Sequence, residues 1–404
     1  MKRTFHDAAL GNLADLAASL DLRMAVTGQA LAAQEAGRPQ PQTTVEADGG
    51  PFIRHAQAGR LPIYTISGTA MGGQITQALV ARPGYYRNFR IQHTFVTGGT
   101  ITGSTALAAD APYNVGSQIQ FKDSFGTPIF TGDMYSIALL VNMYSGGFGI
   151  DNGTNLPSNL PSWTALSYST GAGQFSYALP LEFAKAYGVV SGANASMVPQ
   201  LQINFNPGAT VFTNGTANFP TITTTVESDI YWLPEGVDIE PPGLGTTRQW
   251  QVSSLNPTLP ASSSARLQFS RLGGYLDTII VIARDSTGAR TDGFWPTNGR
   301  LQFIVDGIPL IDSNYNNILD DMWIQFGAVA RPTGVLAISR KTSLNQKSNG
   351  LLDTGESYLS TSPATLLELN IISSGAGSNG PATLTGLVGQ VVPSGALIQG
   401  LPEA

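Results

Sequence analysis

Hydrophobic and polar residues alternate with a period of two along most of the chain after Thr43. Successive side chains of a strand point to opposite faces, so each alternating segment predicts a strand with one face on a core. The clearest segments carry their apolar side chains at Phe89, Ile91 and Phe95; Leu201, Ile203 and Phe205; Leu267 and Phe269; Leu301, Phe303 and Val305; and Leu367, Leu369 and Ile371. This pattern predicts an all-β protein.

Two further features refine that prediction. Residues 278–283 are apolar at nearly every position, which predicts a strand covered on both faces. Long stretches rich in Gly, Asn, Pro and Ser run over residues 145–173, 206–221 and 373–382. Loops of this length usually carry function or contact a partner.

The N-terminus has a different period. Leucines and a methionine recur there at the spacing of one helical face, and Ala-rich sequence surrounds them, which predicts a helix over about residues 5–36. Its candidate assembly or membrane-facing stripe is Leu13, Leu16, Leu20 and Met24. The alternative is that this helix packs on its own domain.

An internal repeat links the two halves of the chain. The block Ile119–Phe121 followed by Gly126–Phe130 parallels Leu301–Phe303 followed by Gly307–Ile311, and the two glycines lie 181 residues apart. A short helical stripe follows each copy. Chance similarity is the alternative; a true repeat predicts two copies of one β domain.

Proline-rich sequence between the copies predicts a connector. The expected organisation is a helical arm over 1–37, a first β domain over 38–235, a connector over 236–264, and a second β domain with a C-terminal tail over 265–404. Short helices are expected as insertions within the β domains.

Composition excludes several functional classes. The 404 residues include no Cys and three His, only 12% are charged, and the net charge is −6. These numbers disfavour disulfides, thiolate metal sites and general attraction to nucleic acid. Apolar runs stay short of the roughly 18 residues of a membrane-spanning helix. Asp7, Asp15 and Asp21 interrupt the region where a secretory signal would need apolar residues.

Motifs for catalysis or cofactors fail on their context. Gly375–Gly380 matches a dinucleotide-binding spacing, but Pro381 follows where a helix should begin. Asp353-Thr354-Gly355 lacks the second carboxylate loop that aspartic proteases need. Asp312, Asn314 and Asn316 have the spacing of a calcium loop without its glycine or terminal glutamate. We therefore predict no catalytic residues, no cofactor and no metal site, with His93 a satisfied core or solvent-side histidine.

Three segments carry a resemblance to a known family. Residues 79–91 (LVARPGYYRNFRI), 228–234 (SDIYWLP) and 275–281 (YLDTIIV) are similar to the start of the first jelly roll, its last strand and the first long strand of the second roll. The family that these segments resemble is that of the double jelly-roll major capsid proteins of tailless icosahedral double-stranded DNA viruses, of the tectivirus type. The resemblance implies two consecutive eight-stranded jelly rolls in one chain.

The resemblance also implies a structural function in the virion. Members of that family form homotrimers whose six rolls make a pseudo-hexagonal block, and these blocks tile a shell over an internal membrane. The expected partners are other copies of the chain, neighbouring trimers, minor capsid or vertex proteins and the viral membrane, without sequence-specific binding of nucleic acid. Assembly is expected in the host cytoplasm. The alternatives are a carbohydrate- or receptor-binding spike or fibre and a β-rich hydrolase.

Overall fold

A computed structural model gives the fold. It describes residues 50–79, 83–144, 164–183, 186–192, 198–242, 244, 246–255, 265–269, 273–285, 287–293, 295, 299–326, 332–339, 359–362, 365–372 and 383–393. The helix predicted over 5–36, with Leu13, Leu16, Leu20 and Met24, lies outside the described residues. The motifs at 353–355 and 375–380 lie outside them as well.

The first half of the chain forms two sheets whose buried apolar residues belong mainly to a hydrophobic core that continues into the second half. The first sheet has the order β1 (Gln57–Ala70), β11 (Thr221–Trp232), β3 (Tyr85–Val96) and β7 (Gly173–Pro180), with β8 (Val190–Ser191) beside β3. The strands opposite are β2 (Gln74–Ala78), β9 (Gln200–Phe205), β5 (Gly116–Lys122) and β6 (Pro128–Gly132), in that order. A two-residue pair, β4 (Ala106–Leu107) with β10 (Phe212–Thr213), lies apart from them. Phe89 and Phe121 join the sheets, with ring centroids 4.9 Å apart.

The second half repeats this arrangement. Its first sheet has the order β12 (Thr246–Leu255), β20 (Thr383–Pro393), β14 (Tyr275–Arg284) and β17 (Val335–Ser339), with β18 (Leu359–Ser360) beside β14. Its second sheet has the order β13 (Ala265–Phe269), β19 (Leu367–Ile372), β15 (Arg300–Val305) and β16 (Ile308–Asn314). We call β1–β11 roll 1 and β12–β20 roll 2.

Both rolls have the same topology among the described residues. When the eight strands of five or more residues in each roll are counted along the chain, the sheet orders are 1-8-3-6 and 2-7-4-5 in both. This is the arrangement of a jelly roll. The repeat found in the sequence falls on the fourth and fifth strands of each roll, β5–β6 and β15–β16, so its two copies occupy equivalent places.

The predicted alternating strands are present. The apolar positions of β3 and β9 are buried and alternate with more exposed residues. Residues 278–283 form the centre of β14, and every one of them is buried, as expected for a strand covered on both faces. The prediction of an all-β fold is confirmed.

Helices fill the connections. They are α1 (Gly50–His55), α2 (Met134–Tyr144), α3 (Gly208–Val211) and α4 (Tyr315–Phe326), with one turn of 3-10 helix at Tyr113–Val115. α2 and α4 follow the fifth strand of their rolls. In α2 the side chains of residues 134–140 are all buried, so this part of the helix is enclosed on all sides.

Two segments contain strands where the sequence predicted few or none. The expected connector over 236–264 contains β12, and the Gly/Ser-rich region after residue 373 contains β20. These two strands pair with each other over ten positions. Roll 2 therefore begins at Thr246, ahead of the start expected at residue 265. The prolines that suggested a connector all lie outside β12, and none occurs between Thr246 and Leu255.

Candidate assembly surfaces

Polar side chains interact at the join between the rolls, inside roll 1 and on the outer face of one sheet, among other places. The described residues contain no group of three His, Asp or Glu side chains that could hold a metal ion. In the same part of the chain, no helix is long and apolar enough to cross a membrane. Asp312, considered above for a cation loop, lies in β16 and pairs with Arg300 Nη2 at 2.7 Å.

Two edge strands join the rolls. β6 is the edge of its own sheet in roll 1, and β12 is the edge of its own sheet in roll 2. They pair in parallel, with Trp250 opposite Phe130 and Gln251 opposite Thr131. This pairing merges four strands of roll 1 and five of roll 2, β18 included, into one nine-stranded sheet. Trp250 and Phe130 are each only 1% exposed, so the join is also an apolar contact.

A buried ion cluster lies at the same junction. Asp110, from the loop after β4, is 3% exposed in its side chain and accepts hydrogen bonds from two arginines of roll 2. Arg290 Nε donates to Oδ1 at 2.5 Å, and Arg284 Nη1 donates to Oδ2. The backbone of Asp110 has φ of 65°, a left-handed conformation that Asp and Asn tolerate better than most residues. One carboxylate of roll 1 thereby binds two cations of roll 2.

The ring of Tyr135, at the start of α2, contributes to the same cluster, as does the carboxyl group of Asp133, which interacts electrostatically with Arg284 and Asp110. The guanidinium carbons of Arg284 and Arg290 lie 5.4 and 4.9 Å from the centroid of the Tyr135 ring, within the range of cation–π attraction. Burial raises the pKa of the Tyr135 hydroxyl, which keeps the phenol neutral. Arg290 also donates from Nη1 to the carbonyl oxygen of Thr333 at 3.2 Å, which fixes its position within roll 2.

A second cation contributes to the junction. Arg248 in β12 is 5% exposed, and its guanidinium carbon lies 5.4 Å from the ring centroid of Phe183 in roll 1. The same group lies 5.7 Å from the ring of Trp250. The rolls are therefore joined by backbone pairing, by an ion cluster and by a cation between two aromatic rings.

His93 lies in the core of roll 1. Its side chain is fully buried in β3, with Nδ1 2.9 Å from Thr224 Oγ1 and Nε2 2.9 Å from the Tyr177 hydroxyl. Both ring nitrogens thus have polar partners, so His93 is a satisfied core histidine, one of the two alternatives that the sequence left open. Burial lowers its pKa to about 3, so the imidazole is neutral near pH 7.

A polar cluster covers the outer face of the first sheet of roll 1. Asp229 in β11 accepts hydrogen bonds from Arg60 Nε at 2.7 Å, Asn88 Nδ2 at 2.8 Å and Arg90 Nε at 3.2 Å. Partial burial acts to raise the pKa of Asp229, but these donors and the arginine charges outweigh it and hold the pKa below its ordinary value. The cluster ties β1, β11 and β3 together across the sheet.

Sequence reasoning did not single out the residues of the junction. Asp110 is the only Asp, Glu, Lys or Arg between Arg90 and Lys122, and a lone charge in so long a neutral stretch is the one signal that could have marked it. Nothing local distinguishes Arg284 or Arg290 from a surface arginine. Their role depends on contacts with a residue more than 170 positions away.

Comparison with known proteins identifies the architecture. No protein-family model matches the chain, and no curated protein matches it. The crystal structure of the major capsid protein of Sulfolobus Turreted Icosahedral Virus is similar, with a TM-score of 0.54 and 17% identity over 85% of this chain and 100% of that one. The same virus's atomic structure gives a TM-score of 0.52 at 17% identity, over 86% of this chain and 94% of the other.

A third similar structure is VP54 of PBCV-1, fitted into a cryo-EM reconstruction of the virophage Sputnik. Its TM-score is 0.51 at 10% identity, and the match covers 88% of this chain and 96% of VP54. At these identities the likeness concerns the fold. Together with the repeated strand order of the two rolls, it shows that the chain has the double jelly-roll fold of viral major capsid proteins.

Proposed function

We propose that this chain is the major capsid protein of an icosahedral virus. Three copies associate through their six jelly rolls into a pseudo-hexagonal block, and many such blocks tile the shell over an internal membrane. Its role is structural rather than catalytic. The observation that carries this proposal is the duplication of one complete jelly-roll topology within a single chain whose fold matches viral major capsid proteins.

The junction between the rolls supports a tile function. A shell subunit must hold its two rolls in a fixed relation, because a symmetric assembly repeats one geometry many times. The pairing of β6 with β12 and the three-residue cluster of Asp110, Arg284 and Arg290 fix that relation by both backbone and side-chain bonds. Two rolls joined by a flexible linker alone would not do so.

The proposed partners follow from this role. They are further copies of the chain, minor capsid or vertex proteins and the viral membrane. The helix predicted over 5–36 is proposed to face the interior, with Leu13, Leu16, Leu20 and Met24 directed toward a neighbouring subunit or lipid. Nucleic acid is not a proposed partner, since the net charge of −6 offers no general attraction to phosphate.

Native mass spectrometry of the purified protein tests the proposal. A trimer that negative-stain electron microscopy shows as a block with six-fold outline is the expected result. A protein that remains monomeric at micromolar concentration would contradict the proposal. A monomer that binds a defined sugar on a glycan array would instead support the alternative of a receptor-binding spike or fibre.

A further inference from the structure

The join inside the chain has a counterpart at its two outer edges. Within the chain, the fifth strand of roll 1, β6, pairs with the first strand of roll 2, β12. The equivalent strands that remain are the fifth strand of roll 2, β16, and the first strand of roll 1, β1. In the sheets that the structure describes, each of these is a terminal strand with a neighbour on one side only.

Exposure distinguishes the joined strands from the unjoined ones. In β6, Ile129 and Phe130 are 2% and 1% exposed. The repeat aligns Ile129 with Leu310 of β16, which is 37% exposed, and Ile308 in the same strand is 64% exposed. β1 shows the same contrast with β12: none of its fourteen residues is buried, whereas residues 247–250 of β12 all are.

We propose that β16 of one copy pairs with β1 of the next, in the parallel sense in which β6 pairs with β12. This inference rests on the proposed trimer and names the surfaces that form it. Edge strands carry unpaired N–H and C=O groups that an added strand can satisfy, and exposed aliphatic side chains beside such an edge favour covering it. A second copy of this chain supplies the required strand, because it presents β1.

In the proposed trimer this contact closes into a ring. The contact joins two different surfaces, so it is head-to-tail, and such a contact makes a ring when its rotation closes. The step from roll 2 to the next roll 1 repeats the step from roll 1 to roll 2 within the chain. Three chains then contain six equivalent joins, three within chains and three between them.

Proline does not prevent this pairing. Pro309 lies in β16 and lacks an N–H, as proline always does. In the alignment of the two repeat copies, Pro309 corresponds to Pro128. Pro128 begins β6, and β6 still pairs with β12. The join between β6 and β12 consists of only two residue pairs. The few backbone donors and acceptors of β16 that follow Pro309 are therefore enough for a pairing of the same length.

Engineered disulfides test the proposal directly, because the chain contains no cysteine of its own. Leu310→Cys is combined in turn with Leu61→Cys, Ile63→Cys or Thr65→Cys in the full chain. Under mild oxidation, at least one combination is expected to give covalent dimers and trimers on a non-reducing gel. The matched control, Leu310→Cys with Val96→Cys, places the second cysteine at an exposed position of an inner strand and should give no such ladder.

A charge substitution provides the second measurement. Leu310→Lys puts a cation on the exposed edge, which should leave the melting temperature of the monomer unchanged and weaken trimer formation about tenfold or more. Val96→Lys is the control and should trimerise normally. A trimer that forms without any cross-link between β16 and β1, and that survives Leu310→Lys, would overturn the edge pairing while leaving the capsid proposal intact. Absence of any trimer in the unmodified protein would overturn both.

Discussion

Arg290 of roll 2 donates a hydrogen bond from Nε to Oδ1 of Asp110 in roll 1 across 2.5 Å, although 180 residues separate them in the chain. The pair is largely shielded from solvent, with side chains 9% and 3% exposed. Because Arg284 binds the other carboxylate oxygen, a single acidic group holds two arginines at the boundary between the rolls. Asp110 therefore links two arginines of roll 2 to roll 1 through a single side chain.

Asp110→Asn is expected to lower the free energy of unfolding by about 3 kcal/mol, because it removes the carboxylate that both largely buried guanidinium groups bind. Asparagine keeps the tolerance for the left-handed backbone, so the loss reports on charge. Urea denaturation measures it. Asp312→Asn is the matched control, since its partner Arg300 is 56% exposed and such pairs contribute at most about 1 kcal/mol. Equal effects of the two substitutions would show that the junction cluster adds no special stability.

The burial of His93 in the core predicts that the protein loses stability in mild acid. The pKa of His93 is lowered to about 3 in the folded protein by burial, whereas an unfolded histidine titrates near 6.5. Below pH 6.5 the unfolded chain therefore binds a proton that the folded chain does not, and stability falls as the pH decreases toward 3. Between pH 7 and pH 5 this contribution amounts to about 2 kcal/mol.

His93→Gln should remove that part of the pH dependence, whatever its effect on stability at pH 7. Urea denaturation of both proteins at pH 7, 6 and 5 measures the difference in slope. His55→Gln replaces an exposed histidine and should keep the slope of the unmodified protein. A slope that His93→Gln leaves unchanged would mean that other groups cause the acid sensitivity.

Gly389 is expected to tolerate no side chain. It lies opposite Trp250 in the pairing of β20 with β12, and a Cβ at this position would come within 2.5 Å of the indole ring. Gly389→Ala should displace the tryptophan that forms the join to β6 and destabilise the protein by about 1–3 kcal/mol. Gly98→Ala is the control, because the nearest atom to its new Cβ is 3.8 Å away. Similar melting temperatures for the two variants would contradict this account of the join.

Removal of residues 1–36 tests the role of the predicted N-terminal helix. If its stripe contacts neighbouring subunits or lipid, the shortened protein should still fold and form trimers but should fail to assemble shells or to bind vesicles. Replacement of Leu13, Leu16 and Leu20 by serine should have the same effect, whereas Asp15→Asn, on another helical face, should not. Loss of folding in the shortened protein would place the helix in the core of its own domain.

Local pattern alone accounts for much of this fold. Alternation of apolar and polar residues in segments such as 89–95 and 201–205 is enough to predict strands, since burial of one face of a sheet requires it. The repeated block around Gly126 and Gly307 further indicated two similar domains, and the structure places both copies on the fourth and fifth strands of a roll. These features depend on neighbours in the chain, and a sequence displays them directly.

Contacts between distant segments decide the remainder. β12 lies between prolines and β20 lies in Gly-rich sequence, and each is a strand because the other pairs with it across more than a hundred residues. Asp110, Arg284 and Arg290 are ordinary charged residues until the rolls meet and exclude water around them. The strength of an ion pair and the burial of an edge strand depend on what surrounds them in space, and residue order does not specify those surroundings.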